Sequence, residues 1–160
     1  MIIIDNEHVE LATPSGSMRT HIVRPAAPGR YPGLVFYSEI FQVTGPIRRT
    51  AAMLAGHGYI VAIPEIYHEF EAPGVVLAYD QAGSDRGNQW KTTKELASYD
   101  ADARAVLDHL KSRPDCTGEL GPSASASEAT SPFAPPWTPM SSQPRASTPP
   151  TSTKVASAKA

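Results

Sequence analysis

Two short segments hold the acidic and aromatic residues best placed for chemistry. Ser38-Glu39-Ile40-Phe41 follows the apolar run Leu34-Val35-Phe36-Tyr37, and Pro64-Glu65-Ile66-Tyr67 follows Tyr59 to Ile63. In an open α/β sheet, sites form beyond the carboxyl ends of the strands, where both segments fall. A carboxylate that closely follows an apolar strand loses solvent, which raises its pKa and favours a partner. Glu39 can therefore steer a nucleophile, or it can bond loop amides or the start of the next helix. The residues alone leave both readings open. Glu65 could be the second acid of a carboxylate pair or an ordinary loop acid. Tyr67 could bind a substrate oxygen, or it could be a packed ring with a wet hydroxyl.

Of five histidines, His68 is the best placed. His57 falls in a helix-ending turn, His109 on a polar helix flank, and His8 and His21 on an N-terminal hairpin. No histidine pair has metal-ligand spacing, so no metal is expected. Cys116 reads as a loop residue after a helix C-terminus, where the dipole raises a thiol pKa, and so makes a poor nucleophile. No glycine-rich phosphate loop follows a strand, and no cofactor is expected.

The elements that must position these residues are legible in outline. His8 to Leu11 alternates, Pro14 to Ser17 supplies turn residues, and Met18 to Val23 runs extended: an N-terminal hairpin. Leu34 to Tyr37 reads as a strand buried on both faces. Pro46 opens a helix with Ile47, Ala51, Leu54 and Ala55 on one face, and Gly56-His57-Gly58 ends it. Tyr59 to Ile63 is the next strand, so the three elements form a βαβ unit with a right-handed crossover. Tyr67 to Trp90 reads as a long loop, either lining a site or partly mobile. The spacing predicts a helix over Thr93 to Arg113, with Leu96, Tyr99, Ala103, Val106, Leu107 and Leu110 inward. Asp102, Arg104, Asp108 and Lys111 fall on its polar face, and Thr92 with Glu95 suggests a capping box. Gly118 to Gly121 leads into another strand.

The run Tyr37-Ser38-Glu39-Ile40-Phe41-Gln42-Val43, with Arg48 to Tyr67, resembles the dienelactone hydrolase family over roughly residues 15 to 121. The Glu-Ile-Phe and Pro-acid-Ile-Tyr pairing carries the resemblance; the family usually has Asp where Glu65 stands. The resemblance implies an α/β-hydrolase fold, here incomplete, a three-layer arrangement around a parallel sheet. It also implies a Cys-His-Asp triad that hydrolyses small-molecule esters or lactones. Glu39 then matches the glutamate that activates the thiol, and the Ile40 backbone N–H matches an oxyanion-hole donor. Tyr67 is a substrate-binding candidate.

The family should next show a nucleophile elbow, G-x-C-x-G-G. Here residues 124–130 read Ala-Ser-Ala-Ser-Glu-Ala-Thr. Read one nucleotide earlier, the same codons permit Gly-Ile-Cys-Ile-Gly-Gly-His, and every fixed elbow position receives the middle G that Gly or Cys requires. From Pro122 to Ala160, thirty of thirty-nine residues are Pro, Ala, Ser or Thr, too apolar-poor to offset the entropy of ordering. Two domains are thus expected: a hydrolase-like 1–121 and a disordered 122–160 that a frameshift explains. The competing explanation is a genuine low-complexity linker on a non-catalytic interaction protein. As written, the chain carries no nucleophile, triad Asp or triad His, and no activity is expected.

A net charge of −2 gives no reason to invoke nucleic acid or an anionic membrane. Met1-Ile2-Ile3-Ile4 meets Asp5 at once, too short for a signal-peptide core, and no run approaches membrane-spanning length. One cysteine excludes an internal disulfide and suits a reducing, cytoplasmic setting. Oligomeric state is left open.

Overall fold

The computed structural model describes residues 1–123. Pro122 and Ser123, expected to begin the disordered segment, instead continue β5 because they pair with Val35 and Phe36; the expected disorder from residue 124 on, and the shifted elbow at residues 124–130, lie outside the described residues.

Five strands form one sheet in the order β1-β2-β4-β3-β5: β1 Ile3–Thr13, β2 Gly16–Pro25, β3 Tyr31–Phe36, β4 Ile60–Pro64 and β5 Cys116–Ser123. The hairpin β1–β2 is antiparallel, and β2 pairs antiparallel with β4. Only β4, β3 and β5 are mutually parallel. The sheet is therefore mixed, because the hairpin expected from Pro14 to Ser17 is hydrogen-bonded straight onto the βαβ unit.

Period-two alternation divides the core into two layers. From β4, Ile60 and Ala62 join Met18, Ile22 and Val35 under the helix α3, Leu96–Ser112, which contributes Val106 and Leu110. Val61 and Ile63 point the other way, with Val23 and Phe36, under α1, Gly45–Gly56, which contributes Ile47, Ala51 and Ala55. Pro in its first turn opens α1, where a missing N–H costs nothing. Helix, sheet and helix make the three layers.

The segment expected to be a loop contains a helix, α2, Gln81–Thr93. Asp80 caps it by accepting from the Gly83 N–H at 2.7 Å. Its inward residues are Gly83 and Gly87, so it shows no apolar periodicity and has glycines where helix propensity is poorest. Their lack of side chains is what the packing requires. A Cβ at Gly83 would lie 2.0 Å from the Ala78 carbonyl oxygen, and one at Gly87 2.5 Å from that of Ile40.

α3 starts three residues later than the spacing predicts. The capping box does not form: the Thr92 hydroxyl donates within α2 to Asn88 and Gln89, and Glu95 is an N-cap without a side-chain bond. Leu96 is consequently 63% exposed rather than inward, while Asp102 is buried rather than on the polar face. Cys116 is the first residue of β5, not part of a loop, and is buried.

Candidate functional site

Glu39 lies in the turn that follows β3. The Gln42 N–H donates to the Glu39 carbonyl at 3.0 Å, and the Thr44 N–H to the Gln42 carbonyl at 2.9 Å. This tight path puts Gln42 at φ 70°, a left-handed conformation that costs a non-glycine residue about 1 kcal/mol or more. The turn is held from three sides. The Leu77 N–H donates to the Phe41 carbonyl at 3.1 Å, Gln42 Oε1 accepts from the Tyr67 N–H at 3.5 Å, and Gly87 of α2 closes on Ile40. The Ile40 N–H has no hydrogen-bond partner among the described residues.

The Glu39 carboxylate is half-buried and faces Tyr79, whose hydroxyl is 3.0 Å from both Glu39 Oε2 and Thr44 Oγ1. A phenol has one proton, which goes to the carboxylate, while the Thr44 hydroxyl can donate to the phenol oxygen in return. Tyr79 also rests against Phe41, ring centroids 4.5 Å apart. Nearby, Ser38 Oγ and Gln42 Nε2 are buried without a partner among the described residues.

Glu65 is not free to act as a second acid beside Glu39. Its Oε1 is 2.6 Å from His21 Nε2 and its Oε2 accepts from the Gly74 N–H at 2.8 Å, with only 3% of the side chain exposed. His21 reaches it because β2 pairs with β4 in the register His21↔Ile63. Tyr67 is buried, and its hydroxyl bonds Tyr99; burial first, then Tyr99, pushes its pKa far above the ordinary phenol value. The structure gives it the environment of a packed ring.

His68 enters a second cluster that the sequence did not disclose. Its Nε2 is 3.2 Å from both oxygens of buried Asp102. Lys94, with no side-chain exposure, is 2.9 Å from Asp102 Oδ2, contacts Glu69 and Ser98, and lies 5.1 Å from the Tyr99 ring centre. Ligand atoms of His68, Glu69 and Asp102 approach within 4.8 Å of one another, a spacing that could hold a cation. The Lys94 ammonium already contacts both carboxylates and supplies that positive charge. A signal did exist: Asp102, Val106 and Leu110 recur at four-residue spacing, which puts Asp102 on the buried stripe. Tyr79 had none, since it lies in irregular chain between two elements.

Parallel strand register sets this turn level with the end of β5. Phe36 pairs with Ser123, so the last described residue of β5 lies level with the end of β3, which leads directly into Tyr37, Ser38 and Glu39. Cys116 pairs instead with Tyr31, at the opposite end of the same strands, roughly 20 Å away for the intervening residues. It is remote from Glu39 as well as buried.

The dienelactone hydrolase family model matches residues 18–122. Over 123 residues the chain is 38% identical to a candidate carboxymethylenebutenolidase of Saccharomyces cerevisiae, covering 74% of this chain and 45% of the yeast protein. A second candidate carboxymethylenebutenolidase, from Azospirillum brasilense, is 31% identical over 90 residues, covering 49% of this chain and 38% of its own length. The chain thus spans less than half the length of both curated relatives. The crystal structure of a candidate dienelactone hydrolase from Klebsiella pneumoniae superposes with a TM-score of 0.64 at 23% identity, over 78% of this chain and 50% of that one, and so shares its fold. No helix among the described residues is long and apolar enough to cross a membrane.

Proposed function

Because the chain belongs to the dienelactone hydrolase family, we propose that residues 1–123 form the acid- and amide-bearing side of a site that hydrolyses small-molecule esters or lactones. The observation that supports this reading is the β3–β5 register: Ser123 pairs with Phe36, so β5 ends level with the strand end that leads into the Glu39 turn. A nucleophile there would meet a half-buried carboxylate and an N–H donor already in place. Glu39 would take the proton of a thiol at that position. The thiolate would add to the substrate carbonyl, and the Ile40 N–H, with a second backbone amide, would hold the resulting oxyanion. Collapse would expel the alcohol, and water would then release the acid and regenerate the thiol.

The chain as written carries Ala-Ser-Ala-Ser-Glu-Ala where the elbow belongs, and we take it to be inactive, a frame-shifted form of a cytoplasmic enzyme. The test is to insert one base before the Pro122 codon and express both forms. The restored product should hydrolyse activated aryl acetates while the chain as written does not, and Glu39→Gln should lower the restored activity at least tenfold, the low end of a general-base contribution. A restored frame that meets an early stop would refute the frameshift and favour an interaction protein with a Pro/Ser/Thr-rich tail. Full activity in Glu39→Gln would remove Glu39 from the mechanism.

A further inference from the structure

Three departures from ordinary local structure meet at the Glu39 carboxylate. Thr44 is the N-cap of α1, where a threonine oxygen usually accepts from an N–H of the first helical turn, yet it makes no side-chain cap bond. Its buried hydroxyl is turned instead to the Tyr79 phenol at 3.0 Å. Tyr79 is 60% exposed, so its ring adds little to the core, but its hydroxyl is fixed between Thr44 and Glu39 Oε2. Gln42, between Glu39 and Thr44 in the chain, is held at φ 70°. Each departure costs stability, and such costs concentrate where a fold serves a site.

Proton counting gives the contact a direction. An ionised carboxylate only accepts, and the phenol has one proton to give, so Tyr79 donates to Glu39 and can receive the Thr44 proton in return. The segment that carries Tyr79 is itself pinned. The Gly74 N–H donates to buried Glu65 at 2.8 Å, the Leu77 N–H to the Phe41 carbonyl at 3.1 Å, and Asp80 caps α2. A glutamate has more rotamer freedom than most side chains, so an unheld Glu39 would spend little of its time within reach of a nucleophile. We propose that Tyr79 and Thr44 are positioning residues for Glu39: the relay from the Thr44 hydroxyl through the Tyr79 phenol to Oε2 holds the carboxylate in one orientation and leaves Oε1 to take the thiol proton. The inference rests on the hydrolase reading above and adds two residues that act through Glu39 rather than on the substrate.

The relay is tested on the 160-residue chain by Raman spectroscopy, which needs no turnover. The tyrosine Fermi doublet reports whether a phenol mainly donates or mainly accepts, and subtracting the Tyr79→Phe spectrum in each background isolates Tyr79. Glu39→Gln weakens the acceptor and should move the doublet toward acceptance, whereas Thr44→Val removes the donor and should move it toward donation. A doublet that responds to neither change overturns the relay. The positioning role is read from the frame-restored product. There Tyr79→Phe should lower kcat for phenyl acetate about tenfold, as for a lost hydrogen bond to a charged group, with KM changed by less than about twofold. Thr44→Ser, which keeps the hydroxyl, should retain the activity that Thr44→Val loses. In a Glu39→Gln background Tyr79→Phe should have no further effect, because Tyr79 acts only through the carboxylate. Equal losses in both backgrounds would place Tyr79 on the substrate and overturn the proposal. Activity that falls in Glu39→Gln but not in Tyr79→Phe defeats the positioning role alone, while full activity in Glu39→Gln defeats the hydrolase reading of Glu39 on which it rests.

Discussion

Lys94 shows how much one side chain can organise without leaving a sequence signal. Its ammonium is fully buried, 2.9 Å from Asp102 and in contact with Glu69 and Ser98. Three parts of the chain converge on it: the segment after β4, the α2–α3 junction, and, through the Ser15–Ser98 contact at 3.2 Å, the hairpin turn. Removing one partner of a buried ion pair leaves the other charge uncompensated, which costs about 3–5 kcal/mol. Lys94→Met keeps the stem and deletes the charge, so it should lower unfolding free energy in urea by about that amount. Lys94→Met combined with Asp102→Asn should lose less than the sum of the single changes, because the two residues share one interaction. Additive losses would mean that the pair is not coupled. Lysine in a polar stretch between helices gives no hint of burial; only the His68, Glu69 and Asp102 carboxylate and imidazole groups, brought together by the fold, make the charge necessary. Glu39 was legible for the opposite reason. A carboxylate set hard against an apolar strand end is conspicuous in sequence.

At the scale of elements, strands and amphipathic helices were visible wherever apolar periodicity produces them, and α2 was not. The core faces of β2, β3, β4, α1 and most of α3 announce themselves by spacing, because hydrophobic burial is what creates the spacing. α2 buries glycines, so its helical state comes from tertiary packing and the Asp80 cap, and local propensity argues against it. That difference can be tested directly. Gly87→Ala would raise intrinsic helix propensity, yet its Cβ would approach the Ile40 carbonyl to 2.5 Å. Overpacking against backbone should dominate, destabilising the protein by about 1–3 kcal/mol and shifting the Ile40 and Phe41 amide resonances. Gly56→Ala, at the end of α1 with nothing within 4 Å of the added carbon, is the control. It should be neutral or stabilising by up to about 1 kcal/mol. If Gly87→Ala behaves like Gly56→Ala, α2 does not press on the turn, and the turn's geometry must be fixed by the Gln42 and Leu77 bonds alone.

Across the whole molecule, one charged staple joins the ends of the described chain and sets how stability should respond to acid. Arg113, just past α3, makes two bonds to Asp115 at 2.8 and 2.9 Å and a third to Glu7 of β1 at 3.2 Å. Arg24 of β2 holds the other Glu7 oxygen at 2.7 Å. Arg113 depresses the Asp115 pKa below the ordinary carboxylate value. For Glu7, burial pushes upward, but the two arginines outweigh it and the net shift is down. Glu69 behaves likewise, burial opposed and exceeded by Lys94 and Ser98. A depressed folded-state pKa stabilises the protein above the unfolded pKa, and this contribution disappears as pH falls through the folded value. These three carboxylates should therefore cost stability progressively below about pH 4. His109 acts earlier. Burial and then Arg113 lower its pKa, so the fold favours neutral imidazole, and stability should begin to decline below about pH 6.5. Urea denaturation at a series of pH values should show a shallow loss from neutrality followed by a steeper one in acid. Arg113→Met removes the staple's cation, so Asp115 and Glu7 return toward ordinary carboxylate behaviour. The variant should be less stable at pH 7, by about 1 kcal/mol given the partial exposure of both acids, and its acid limb should be flatter. An acid limb unchanged in Arg113→Met, or stability that rises as pH falls, would show that the staple is only a surface contact and that β1, α3 and β5 are held together by their apolar faces.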